Sequence, residues 1–267
     1  MAQELERFAA NEVDEYLARI RYTGPIEPTL EVLEELQRCH ILSVPFENLS
    51  VYGKEEIVLS KEWLFDKVVR RHRGGFCYEL NTVFSLLLDY IGFEFQRHAS
   101  EVYSRKTGRI GPPFDHMILV VNIEGALWLT DVGFGDSFLT PLLFGCSADQ
   151  QEQSSGTYRI RKEGDRCFYE EKVKTIVDEF DPKSPFTHDR ICTMAKPWGR
   201  ITFSGNKVTK STYLGDNKIR KETKELLGGE EEIVKELEQQ FGIKKESCLY
   251  PEGSMYCGSD QSKERKI

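Results

Sequence analysis

Arg73-Gly74-Gly75-Phe76-Cys77-Tyr78-Glu79-Leu80-Asn81 sets a cysteine at the point where a glycine turn becomes a strongly patterned helix. From Leu80 onward the apolar residues fall at Leu80, Val83, Phe84, Leu87, Leu88 and Ile91, the three-and-four spacing that holds one helical face against a core, and Gly92 ends the run. Two glycines ahead of Cys77 let the backbone turn sharply and leave room for a substrate to approach. The unpaired amides of a first helical turn favour negative charge on the sulfur. The stretch predicts a helix that begins at Cys77 and carries a nucleophilic thiol at its tip.

Working outward, the region before Gly92 reads as helical: Glu12 to Ile20, Thr29 to Cys39 with Leu30, Val32, Leu33 and Leu36, and Lys61 to Arg71. After Gly92 the period becomes two. Phe93 to Ala99 alternates, and Met117 to Ile123 and Ala126 to Val132 are apolar, partly branched strand segments. Further strands are expected at Thr157 to Arg161, Cys167 to Ile176 and Arg200 to Phe203, separated by Gly156, Gly164-Asp165 and Gly205-Asn206. A last helix over Glu230 to Phe241 carries an apolar stripe of Ile233, Val234, Leu237 and Phe241. Lys244 to Ile267 is polar and reads as an irregular tail. The fold class is α+β, divided as 1–92 (helical, with the nucleophile), 93–195 (mainly β) and 196–267 (α/β and tail).

Composition narrows the function. The 267 residues can bury a large core, and two or three sub-domains sharing a cleft are expected. With 36 Lys plus Arg against 44 Asp plus Glu, the net charge of -8 argues against broad binding to nucleic acid or an anionic membrane. Arg70-Arg71-His72-Arg73 is too short a basic run to reverse that; it reads as a solvated helix end, or more sharply as a local anion site for a phosphorylated cosubstrate. Seven scattered cysteines without a CxxC pair suggest neither a disulfide framework nor a zinc site, and no metal is expected. The charged N-terminal segment and the lack of a long apolar run point to a soluble cytoplasmic protein.

A cysteine nucleophile needs a base and a group that orients the base. Of His40, His72, His98, His116 and His188, His116 stands out because it opens the strand leading to the turn at Glu124-Gly125. Centring that turn between Ile123 and Glu124 places His116 opposite Asp131; centring it between Glu124 and Gly125 places His116 opposite Gly133. Both registers keep His116 and Asp131 on one face, whereas a turn centred on Glu124 separates them. His72 falls at a helix end, His98 on an alternating strand, and His40 and His188 in loop-like contexts.

Together these residues resemble the arylamine N-acetyltransferase family. The likeness runs through Tyr16-Leu17-Ala18-Arg19-Ile20, Val44-Pro45-Phe46-Glu47-Asn48-Leu49, the Arg73 to Asn81 stretch, His116 and Asp131-Val132-Gly133-Phe134-Gly135, all in order within the first 140 residues or so. Gly199-Arg200-Ile201-Thr202-Phe203 and Asn206 extend it less distinctly, and the lack of a long insertion there resembles bacterial members.

The resemblance implies a papain-like cysteine enzyme core, with an N-terminal helical bundle, a central β-barrel-like domain and a C-terminal α/β lid. It also implies acetyl-CoA as cosubstrate and aromatic amines, hydrazines or N-arylhydroxylamines as acceptors, in a ping-pong reaction through acetylated Cys77. Residue by residue, Cys77 is the acetyl acceptor, His116 its base and Asp131 the orienting group. Phe46, Phe134 and Phe203 would line the acceptor pocket, and Gly133, Gly135 and Ser137 would lie along CoA. Arg73 and Glu47 are expected to form a buried pair bracing the catalytic loop. The same three catalytic residues would serve a papain-like or transglutaminase-like hydrolase or an amide synthase; an inactive binding protein on the same scaffold is the other alternative.

Overall fold

The computed structural model describes residues 7–104, 107–145, 149–172, 174–178 and 190–245. The expected tail beyond Lys245, His188, and Cys146, Cys248 and Cys257 lie outside these residues.

The chain opens with α1 (Ala10–Ile20), α2 (Leu30–Ser43), the short β1 (Phe46–Glu47), α3 (Leu49–Tyr52), α4 (Lys61–Phe65) and α5 (Cys77–Ile91). Local chemistry sets their ends. The Glu12 carboxylate accepts the Ala9 amide at 2.7 Å before α1, Ser60 Oγ accepts the Trp63 amide at 3.3 Å before α4, and Gly92 closes α5 at φ 98°. One boundary differs from the sequence reading. The helix expected from Lys61 to Arg71 widens into a π-helical turn over Asp66–Arg70, with the Arg71 amide on the Asp66 carbonyl at 2.8 Å. Lys67, on that turn, is buried.

Tyr16, Leu33, Leu36, Leu64, Val68, Leu80, Val83, Phe84 and Leu87 bury the inner faces of α1, α2, α4 with its π-turn, and α5 in a common core, joined by Leu119, Val121 and Val132. Each such side chain contributes about 1.5–3 kcal/mol relative to exposure. This places the tip of α5 directly against the sheet.

The middle region contains β2 (Glu94–Ser100), β3 (Tyr103–Ser104), β4 (Arg109–Ile110), β5 (His116–Ile123), β6 (Ala126–Thr130), β7 (Leu142–Leu143), β8 (Gln151–Gln153), β9 (Gly156–Glu163) and β10 (Arg166–Glu171). They form a four-stranded sheet ordered β2-β5-β6-β7, a three-stranded sheet ordered β10-β9-β8 and a β3–β4 ribbon. The expected barrel-like arrangement is not what these strands build: each sheet is open at both edges among the described residues, so the ladder never returns to its first strand.

The last sheet takes in β11 (Thr175–Asp178), β12 (Ile191–Lys196), β13 (Gly199–Ser204), β14 (Lys207–Tyr213) and β15 (Lys218–Glu225), ordered β1-β12-β13-β14-β15-β11. Among the described strand pairs of this sheet, β11 with β15 runs parallel and the others antiparallel. α6 (Gly229–Phe241) covers it, burying Ile233, Leu237 and Phe241 with Ile201, Phe203 and Val208. Because β1 belongs to the helical segment, this sheet ties the two ends of the chain together. Mixed open sheets with segregated helices make the fold α+β. No helix among the described residues is long and apolar enough to cross a membrane.

Candidate active site

Three segments meet at the start of α5. The turn before Cys77 is tight for steric reasons: a Cβ on Gly74 would lie 1.9 Å from the Pro45 carbonyl oxygen, and one on Gly75 would lie 2.7 Å from the Glu79 carboxylate. The Glu47 amide donates to the Gly75 carbonyl at 2.9 Å, so β1 is stitched to this turn on one side and to β12 on the other. Arg19 on α1 reaches across to the carbonyls of Ser43 (2.7 Å), Val68 (3.0 Å) and Arg73 (3.4 Å).

Four charges are buried here. Arg73 meets Glu47 at 2.8 Å and Lys67 meets Glu79 at 2.7 Å, each side chain at most 1% exposed. Burial pushes the Glu47 carboxyl up, but the charges of Arg73 and Lys67 overcome it and hold it below the ordinary range. Removing one partner of such a pair costs about 3–5 kcal/mol, because the other charge is left buried and alone.

Opposite Cys77 stands the β5–β6 hairpin. Leu119 pairs with Thr130 and Ile123 with Ala126, leaving Glu124 and Gly125 at φ 53° and 86° as a type I′ turn. This is the second of the two registers, with the turn centred between Glu124 and Gly125. His116 and Asp131 are therefore diagonal neighbours on one face, and His116 Nε2 lies 2.7 Å from Asp131 Oδ2. The other ring nitrogen, Nδ1, is left for Cys77.

Asp131 is itself held. Its Oδ1 accepts from Asn81 Nδ2 and from the Gly133 amide, both at 2.8 Å, and its own amide donates to Gln37 Oε1 at 3.3 Å. Burial alone would lower the His116 pKa. The charge and hydrogen bond of Asp131, helped by the neighbouring Cys77 sulfur, reverse this and raise it to about 10. His116, Asp131 and Cys77 are all less than a tenth exposed.

A cleft opens beside this group, lined by Phe46, Phe134, Gly135, Ser137, Thr193 and Arg200 with Asp131 at its inner end. Phe134 stands edge-on to His116, centroids 5.1 Å apart at 82°. Ser137 Oγ is 2.9 Å from the Tyr169 hydroxyl, and Gly135 takes φ 89° with Phe46 and Thr193 in van der Waals contact with where its Cβ would be. Gly133 presses on the backbone of Cys77: a Cβ there would lie 2.7 Å from Cys77 Cα.

The structure does not bring Phe203 to this cleft. Thr193 and Thr202 share the cleft face of the β12–β13 pair, so Phe203, one residue on, points to the other side and is fully buried with Cys192, Val208 and Leu49. The basic run is engaged with acids, Arg70 with Glu15 and Arg71 with Asp66, both at 3.1 Å. His40 lies in α2 rather than in a loop, bonded to the Tyr16 hydroxyl at 2.8 Å, and His98 is exposed on β2.

Asn81 had one signal in the sequence, its position one helical turn after Cys77, though sequence reading offers it only as a structural residue. Gln37 and Lys67 had none. Nothing in a heptad pattern distinguishes a buried glutamine or lysine from a solvated one.

A sequence profile of the N-acetyltransferase family matches residues 29–180. The chain is 30% identical to the pineal gland isozyme NAT-3 arylamine N-acetyltransferase of Gallus gallus, over 90% of this chain and 97% of that protein. Among solved structures, the arylamine N-acetyltransferase of Salmonella typhimurium superimposes with a TM-score of 0.76 at 25% identity, covering 92% of this chain and 95% of that one. That of Mycobacterium marinum, solved in complex with CoA, does so with a TM-score of 0.75 at 27% identity, covering 89% and 95%. Vertebrate and bacterial proteins thus match alike.

Proposed function

The chain belongs to the arylamine N-acetyltransferase family, and from that premise we propose that it moves an acetyl group from acetyl-CoA to aromatic amines, hydrazines or, on oxygen, N-arylhydroxylamines, through an acetyl-Cys77 intermediate. The observation that carries this reading is the 2.7 Å bond between His116 and Asp131 on the hairpin facing Cys77, with Asp131 also lining a cleft beside Phe46 and Phe134. Cys77 at a helix tip, His116 and Asp131 form the triad of a papain-like cysteine enzyme core. A cationic His116 is the neighbour a thiolate needs.

Attack of the Cys77 sulfur on the thioester exchanges one thioester for another of nearly equal energy, so the first half-reaction is easy and reversible. The tetrahedral oxyanion is stabilised by amides at the first turn of α5; the Phe76 amide is taken by Glu79 at 3.2 Å, which leaves those of Cys77 and Tyr78. CoA then departs, its sulfur taking the proton carried by His116, and an uncharged arylamine attacks the acetyl carbon with the Cys77 sulfur as leaving group. Its nitrogen proton becomes acidic only as the new bond forms, and His116 Nδ1 removes it. Phe46 and Phe134 offer flat apolar walls to the aryl ring. Gly133, Gly135 and Ser137 border the path assigned to the pantetheine arm.

On this reading the division 1–92, 93–195 and 196–267 is functional: nucleophile, base and orienter, and the cover over the cleft. The working compartment is the reducing cytoplasm, where a reactive thiol persists. The test is to incubate the protein with acetyl-CoA and weigh it intact. An acetyl adduct on Cys77 that an arylamine clears, and that Cys77→Ser lacks, supports the mechanism; an unmodified wild-type protein overturns it.

A further inference from the structure

We propose that Lys67 is a positioning residue for Cys77, acting through Glu79. The proposal rests on the reading of Cys77 as the nucleophile and adds to it a residue that touches no substrate. Lys67 Nζ lies 2.7 Å from Glu79 Oε1, and the other oxygen of Glu79 accepts the amide of Phe76 at 3.2 Å, the residue just before Cys77. The backbone carbonyl of Lys67 also accepts the Arg73 amide at 3.0 Å. One residue thereby holds both ends of the Arg73–Phe76 turn, one by its main chain and one by its side chain.

Its position on the π-helical turn is a further sign. π-turns within helices gather at functional sites, and this one carries a lysine whose ammonium is 1% exposed. A lysine is rarely that buried unless it is paired.

The charges balance locally. Glu79 faces Lys67 from the π-turn and Glu47 from β1, and Glu47 is itself paired with Arg73, so two cations offset two carboxylates. Without Lys67 the Glu79 carboxylate that holds the Phe76 amide, next to Cys77, is left buried without its cation. Burial already pushes the Glu79 carboxyl up, with Lys67 opposing and Glu47 adding to the rise. In Lys67→Gln the carboxylate keeps Glu47 as a neighbour and loses the cation that offset it.

The test measures the rate of Cys77 alkylation by iodoacetamide, followed by peptide mass spectrometry between about pH 6 and about pH 9. This readout reports on the thiol whether or not acetyl-CoA is the donor, so its failure is separable from failure of the proposed activity. Relative to wild type, Lys67→Gln is expected to slow by roughly tenfold. The double variant Lys67→Gln/Glu79→Gln, which keeps the hydrogen bond without either charge, is expected to recover most of the rate. If Lys67→Gln fails to fold, the double variant against Lys67→Arg carries the comparison. A Lys67→Gln rate equal to wild type, or a loss that Glu79→Gln does not relieve, overturns the proposal.

Discussion

Asn81 Nδ2 lies 2.8 Å from Asp131 Oδ1, so the helix that presents Cys77 also fixes the carboxylate that orients His116. The same amide donates to the Met117 carbonyl at 2.8 Å and the Asn81 oxygen accepts the Val132 amide at 3.0 Å. Asn81→Ala removes three hydrogen bonds at a fully buried point. Each leaves a buried group costing about 1–3 kcal/mol, part of which falls on the transition state, so kcat/KM for arylamine acetylation is expected to drop about tenfold to hundredfold. Steady-state kinetics with one amine at several acetyl-CoA concentrations measures this; an unchanged kcat would mean that Asp131 holds its place without Asn81.

Gly133 meets Cys77 so closely that no side chain fits. Gly133→Ala sets a carbon 2.7 Å from Cys77 Cα and 2.8 Å from Asn81 Nδ2, and neither a helix backbone nor a doubly bonded amide yields cheaply. The expected cost is about 1–3 kcal/mol of stability, with a larger loss of kcat than of fold because the clash displaces Cys77, the nucleophile of the proposed mechanism. Urea unfolding and kcat on the same preparation separate the two effects.

The His116–Asp131 pair makes stability depend on alkaline pH. The His116 pKa is raised from about 6.5 to about 10 in the folded protein, so its contribution is complete below about pH 6.5 and is lost as pH rises through about 10. Asp131→Asn removes the charge that raises it and leaves the burial that lowers it. The stability gap between wild type and Asp131→Asn is therefore expected to be widest near pH 6 and to close toward pH 10; a gap constant over that window would contradict the ion pair.

Two phenylalanines should separate fold from specificity. Phe203 is fully buried behind the sheet, and Phe203→Ala is expected to cost about 3–5 kcal/mol while leaving the ranking of acceptor amines unchanged. Phe134 is only partly buried, beside His116. Phe134→Ala should change KM among amines of different ring size with less effect on unfolding. Thermal denaturation together with a panel of aryl acceptors checks both.

Much of this was legible in the chain because the signals are local. A glycine pair, a cysteine and a three-four apolar spacing define the α5 start within twenty residues. A two-residue glycine turn limits the β5–β6 hairpin to few registers, and the two favoured ones keep His116 and Asp131 on one face, since side-chain direction alternates strictly along a strand. The order of the helical, β and mixed regions follows from the change of hydrophobic period at Gly92. What the sequence left open were features whose energy comes from residues far apart. Which register the hairpin takes, whether the central strands close or stay open, and which face Phe203 occupies each depend on pairing across dozens of residues. The β1–β12 pairing, joining Glu47 to Cys192, has no local signal at all. Lys67, Gln37 and Asn81 are ordinary polar letters in a helical pattern. Only the packed interior, where a charge without a partner costs several kcal/mol, decides that they face inward and hold the site.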